Sequence, residues 1–266
     1  MTHTLHRGTA PLLVSMPHIG TEIPPELRER YVPRALAVED TDWHLARLYD
    51  WLVPMGASVL QPKYSRYVID LNRPPDDAPM YPGASNTELC PTRFFTGDPL
   101  YREGCEPDAG ERERRRAMFW QPYHDALRGE LERIRALHGF ALLWDAHSIR
   151  SRIPWLFEGE LPALNIGTAG GASADEKVTK SVANAARRHP AFSHAVNGRF
   201  KGGYITRHYG RPTVDVHAVQ LEMCQNLYMS EQAPFGYDEE RARAIQPVVR
   251  EMVLAALVTC EALYGR

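Results

Sequence analysis

Short apolar runs alternate along the chain with stretches of helical period, and that alternation sets the first expectations. Residues 12–16 (LLVSM) stop at Pro17, the pattern of a buried strand feeding a loop. From about Asp42 the apolar positions Leu45, Leu48, Tyr49 and Leu52 recur at helical spacing, with Asp40, Thr41 or Asp42 as candidate N-caps and Gly56 as the stop. Residues 57–60 and 67–71 read as two further strands. Residues 72–110 are rich in Pro, Gly, Asp and Thr and lack a sustained period, which predicts a long loop excursion. From Glu111 onward, Phe119, Tyr123, Leu127, Leu131 and Ile134 form one helical stripe that Pro122 should bend and Gly139 should end. Residues 140–144 are the strongest strand pattern, a continuous apolar run suited to the centre of a parallel sheet. Residues 163–166 predict a short strand, and Ser173 with Glu176 a capping box opening a helix to about Arg188. Gly202 and Gly203 mark a turn, 217–222 a strand and 237–264 a closing helix. Together these predict an α/β fold: a single domain over 1–266, with a mixed, mostly parallel sheet and helices on both faces.

Charge and cysteine usage narrow the partners. The 266 residues carry 31 Lys+Arg and 33 Asp+Glu, a net charge of −2, so neither nucleic acid nor a membrane surface is an expected partner. The mixed-sign run 111–116 reads as a solvated helix face. Four scattered cysteines without a C-x-x-C pair argue against a disulfide framework or a thiolate zinc cluster. The first residues lack the basic and apolar blocks of a signal peptide, and no run is long enough to span a bilayer, so a cytoplasmic location is expected. The sequence leaves the oligomeric state open.

In open α/β sheets, ligands collect at the carboxyl ends of strands. Pro17-His18, Asn72-Arg73, Asp145-Ala146-His147-Ser148 and Glu222 all fall at such ends. A lone strand-end histidine is usually structural. Two of them, with an acid near residue 40 and a glutamate at a third strand end, suggest a metallohydrolase. Hydrolytic zinc takes three N/O ligands and keeps a fourth position for water, and a nearby carboxylate accepts the water's proton. His18, Asp40 and His147 fit the ligand roles, and Glu222 fits the base. Ser148 beside His147 is a poor nucleophile candidate, because no G-x-S-x-G elbow surrounds it and adjacent strand residues point apart.

The segments VSMPHIGTE (14–22), EDTDWH (39–44), SRYVIDLNRP (65–74), DAHS (145–148), KGGYITRHYG (201–210) and QLEM (220–223) together resemble the N-formylglutamate amidohydrolase family over nearly the whole chain. The resemblance implies a metal-dependent hydrolase that cleaves N-formyl-L-glutamate to formate and L-glutamate, the last step of one histidine-degradation route. It also implies one divalent ion, zinc by first choice, and a sheet similar to that of zinc carboxypeptidases and amidases, a phosphorylase/hydrolase-like fold. Asp40 is the preferred acidic ligand because the resembling amidases place theirs just before the first long helix; Glu22 and Asp42 stay open as alternatives. A dicarboxylate substrate needs about two cationic anchors, for which Arg73, Arg66 and Arg207 are candidates, with Arg150 and Arg152 also within reach. Asn72 and His217 could donate to an oxyanion or a carboxylate.

Overall fold

The computed structural model describes residues 1–80 and 87–265. Its strands are β1 (His3–His6), β2 (Leu12–Ser15), β3 (Ser58–Pro62), β4 (Ala141–Ile149), β5 (Leu164–Gly167), β6 (His194–Val196) and β7 (Val216–Cys224), in one sheet of order β1-β3-β2-β4-β7-β5-β6. β3, β2, β4 and β7 run parallel, β5 is antiparallel to β7 and parallel to β6, and β1 closes the other edge antiparallel. The mixed, mostly parallel sheet is thus the predicted one. β4 and β7 lie in its middle with all nine residues of each buried, as their apolar runs require.

The α-helices are α1 (Pro25–Arg28), α2 (Leu45–Leu48), α3 (Ala109–Arg115), α4 (Gln121–His138), α5 (Glu176–Arg187), α6 (Tyr204–Tyr209) and α7 (Glu239–Leu263). α5, α7 and the turns after α2 cover one face over Leu12, Val14, Leu142, Trp144, Val219 and Leu221. α4 and α6 cover the other over Leu13, Leu60, Ala141, Leu143 and Ala218. In place of a simple bend at Pro122, the continuous helix carries a π-helical turn, Arg116–Trp120, that ends two residues before the proline. Gly139 ends α4 at a φ of 81°. Among the described residues no helix is long and apolar enough to cross a membrane.

Three local expectations are corrected. Residues 67–71 are not a strand: β3 is already flanked by β1 and β2, so Tyr67, Val68, Ile69 and Leu71 bury instead as a turn-containing segment against the α4 face. The helix expected from Asp42 shrinks to the single turn α2, entered through His44 at a φ of 60° rather than capped by an aspartate. Ser173 caps nothing, since its Oγ donates to the Ala218 carbonyl; Asp175 caps α5 by accepting from the Lys177 N–H. The short edge strands β1 and β6 and the helix α6 lacked a readable pattern.

Alternation along the two central strands positions the chemistry. On the α4 face, β4 presents Ala141, Leu143, Asp145 and His147, while β7 presents Val216, Ala218, Gln220 and Glu222. Both rows turn from apolar to polar toward their carboxyl ends, and the register sets Asp145 opposite Gln220 and His147 opposite Glu222. The loop after β2 crosses the segment after β3 at Gly20, where a Cβ would stand 2.1 Å from the Tyr64 carbonyl oxygen. Gly20→Ala should therefore lower the unfolding free energy by about 1–3 kcal/mol through overpacking, measured by urea denaturation.

Candidate metal centre and active site

Three elements meet beyond the carboxyl ends of β2 and β4. His18 follows β2, His147 projects from β4, and Asp42 lies in a loop whose amide donates to the His18 carbonyl at 3.0 Å. Asp42 Oδ2 also accepts the Ser148 N–H at 3.1 Å, and Gln225 Nε2 pins the preceding Thr41 carbonyl at 2.9 Å. His18 Nδ1 and His147 Nδ1 lie 3.2 Å apart, and Asp42 Oδ2 is 3.4 Å from His147 Nδ1 and 3.8 Å from His18 Nδ1. Ligand atoms on a tetrahedral ion with bonds of about 2.0–2.1 Å stand about 3.3–3.4 Å apart, so this buried trio fits one divalent ion.

Each imidazole is backed by a carboxylate on its far nitrogen. Asp70 Oδ1 is hydrogen-bonded to His18 Nε2 at 2.7 Å; Asp145 Oδ1 stands 3.1 Å from His147 Nε2 as a charge neighbour, with Asn72 Nδ2 at 2.9 Å from the same nitrogen. Such partners orient the ring and leave the opposite nitrogen's lone pair facing the centre. Asp70 is in turn held by Arg66 Nη2 at 2.5 Å and by the Asn72 N–H at 2.9 Å. Asp145 Oδ2 accepts from Thr206 Oγ1 on α6 at 3.1 Å and from Asn72 Nδ2 at 3.3 Å.

The electrostatics follow from this crowding. Burial and the Arg66 guanidinium push the His18 pKa down. Burial acts the same way on His147 but is outweighed by Asp145 and Asp42, which hold it well above the usual histidine range. Burial would raise Asp70, yet His18 and Arg66 hold it well below the usual carboxylate range. Glu222 is pushed up to about 8, mainly by burial and further by Asp42, with His147 opposing. Its carboxylate makes no side-chain hydrogen bond among the described residues and faces a cleft of about 640 Å³, open mouth included, that His18 and His147 also line.

The other sequence candidates separate in space. Asp40 does not join the histidines. Its carboxylate pairs with Arg150 and accepts from Tyr67 Oη at 2.8 Å and the Phe95 N–H at 2.9 Å, so the acidic place beside the histidines falls to Asp42. Only Thr41 separates the two acids, and the short loop between Val38 (φ 43°) and His44 (φ 60°) points only the second inward. Glu22 is exposed and pairs with Lys63. Arg66, Arg73 and Asn72 line the cleft, whereas Arg207 does not and donates to the Gly202 carbonyl. Arg152 pairs with exposed Glu160, and His217 sits at the amino end of β7 bonded to Tyr264 Oη. Ser148 Oγ accepts from Tyr228 Oη at 2.6 Å.

Asp70, Asp145, Phe95, Gln220 and Arg199 escaped the sequence reading as site residues. Asp145 and Gln220 were legible in principle, because each stands two residues before a named candidate on its strand. Arg199 was not, since it arrives from a loop after a strand without a pattern.

Comparison with known proteins identifies similar chains over nearly the whole length. The family profile described as N-formylglutamate amidohydrolase matches residues 10–229. The chain is 48% identical over 263 residues to the N-formylglutamate deformylase of Pseudomonas putida, covering 99% of this chain and 98% of that protein. It is 52% identical over 251 residues to the N-formylglutamate deformylase of Pseudomonas aeruginosa, covering 94% of each. The fold matches the crystal structure of N-formylglutamate amidohydrolase from Ralstonia eutropha JMP134 with a TM-score of 0.80 at 22% identity, over 99% of both chains.

The geometry separates the two neighbouring acids experimentally. Asp42→Ala should purify with less than about a tenth of an equivalent of divalent metal, and Asp40→Asn should keep a full equivalent, by elemental analysis. Because a proton on His147 competes with a metal for the same nitrogen, metal affinity should fall as the pH is lowered, and uptake should release protons in a weakly buffered titration.

Proposed function

The chain belongs to the N-formylglutamate amidohydrolase family, and from that footing we propose that this cleft hydrolyses N-formyl-L-glutamate to formate and L-glutamate. His18, Asp42 and His147 would hold one divalent ion, zinc by first choice because two imidazoles and a carboxylate suit it. The observation that carries the reading is a single one: a buried Glu222 carboxylate, without a side-chain hydrogen bond among the described residues, stands beside His147 in strand register, at the edge of a three-ligand cluster.

When bound, the ion polarises the formyl carbonyl and lowers the pKa of the attacking water. Glu222 accepts the water's proton and returns it to the amide nitrogen as the C–N bond breaks, so formate and an amine leave without a charged nitrogen anion forming. Asp70 and Asp145 keep the imidazoles turned to the centre through both steps. Arg73, whose guanidinium is fixed by Thr87 Oγ1 at 2.6 Å and the Asn72 carbonyl at 3.0 Å, supplies positive charge at the cleft wall for a substrate carboxylate. Asn72 acts as a positioning residue: its Oδ1 accepts the Ile205 N–H at 2.8 Å, tying α6 to Asp145 and His147. Gly203 exists for that contact, since a Cβ there would lie 2.4 Å from Asn72 Nδ2.

Glu222→Gln keeps the size and removes the acceptor. It should retain metal and substrate binding while kcat falls about 10²–10⁴-fold. A base works deprotonated, so wild-type kcat/KM should fall as the pH drops through the Glu222 pKa, at or below about 8 because a bound cation favours the carboxylate, and this limb should vanish in Glu222→Gln. Arg73→Ala should raise KM for N-formylglutamate by an amount equal to about 2–5 kcal/mol with little change in melting temperature.

A further inference from the structure

N-formylglutamate carries two carboxylates at different distances from the bond that breaks. The α-carboxylate shares a carbon with the scissile nitrogen, and the side-chain carboxylate lies two methylene groups farther out. Two separate chain segments bring cations to the cleft. Arg66 and Arg73 come from the segment after β3 and stand next to the histidine cluster: Arg66 Nη1 lies 3.3 Å from His18 Nδ1, and Arg73 adjoins Asn72. Arg199 comes from the segment between β6 and α6 and lines the same cleft, as do Phe200, Leu156 and Ile149.

We propose that Arg199 forms the subsite for the side-chain carboxylate and thereby sets the preference for acidic over neutral N-formyl amino acids. The inference rests on reading the cleft as an N-formylglutamate hydrolase site, and it names the residue that selects the side chain. Arg199 Nη2 donates to the Leu156 carbonyl at 3.2 Å, which holds the half-buried guanidinium against the wall. The backbone that carries it is clamped just downstream: the Ala169 N–H donates to the Lys201 carbonyl at 2.6 Å, and the Gly203 N–H donates to Gln220 Oε1 at 2.7 Å. Gly167 and Gly202 approach so closely that a Cβ on Gly167 would lie 2.6 Å from the Gly202 nitrogen. Phe200 and Leu156, packed into the small apolar cluster with Ile149, give the two methylene groups a dry surface. A cation beside that surface is partly desolvated, so a carboxylate gains more there than in water, and a neutral amide of the same shape gains little.

The test measures formate release from N-formyl-L-glutamate and from the isosteric N-formyl-L-glutamine. Wild type should prefer the acid strongly. In Arg199→Gln, KM for N-formylglutamate should rise about 10–100-fold while KM for N-formylglutamine changes less than about twofold, with metal content and melting temperature at wild-type values. Arg199→Met, which keeps the apolar stem, should give the same selective loss, and Arg199→Lys should retain part of the preference. Equal changes for both substrates, or none, would overturn the subsite. A wild type that cleaves both equally well overturns it too, while leaving deformylation standing. Release of formate from neither substrate would instead overturn the proposed function itself.

Discussion

An excess of buried negative charge governs this structure. Asp42, Asp70, Asp145 and Glu222 are all at most 7% exposed and crowd around two imidazoles, with Arg66 the one fully buried guanidinium among them. Four carboxylates against one guanidinium would leave three negative charges in a low-dielectric pocket, a state too costly to persist without compensation. Beyond that guanidinium, which with the Asn72 amide holds Asp70, two means of relief are built in: Glu222 is pushed toward its neutral form and His147 toward its charged form. A divalent cation held by His18, Asp42 and His147 would meet the same demand more completely and would free both Glu222 and His147 for their other states. Asp40 stands outside this account because Arg150 neutralises it separately.

The fold meets that electrostatic demand with little machinery. Central strands buried on both faces supply rigid rows, and the chemistry begins where those rows change from Leu143 and Ala218 to Asp145, His147, Gln220 and Glu222. Loops add what a strand cannot. His18 arrives past Pro17, Asp42 through a bend with two left-handed residues, and Asp70 through a segment that the filled sheet edge excludes from pairing. α6 closes the arrangement from behind, with Thr206 on Asp145 and Ile205 on Asn72.

How much of this was legible follows from which signals are local. The sheet and its central strands were readable because continuous apolar runs have few other meanings, and the histidines and Glu222 because strand ends mark sites in such sheets. The choice between Asp40 and Asp42 was not, since both precede the same helical turn and only backbone dihedrals decide which one faces inward. Residues 67–71 misled for the opposite reason: the segment is buried, as its apolar residues require, but the sheet position a strand there would need is occupied by β1. Arg199 is a contact of tertiary structure with no periodic trace.

Anomalous diffraction from crystals of the protein loaded with zinc would show whether a divalent cation held between the two Nδ1 atoms balances the buried carboxylates. One strong peak per chain is expected, about 2.0–2.2 Å from His18 Nδ1, His147 Nδ1 and an oxygen of Asp42, with Glu222 beyond bonding distance. A peak coordinated by Asp40, or by the Nε2 atoms that face Asp70 and Asp145, would contradict it.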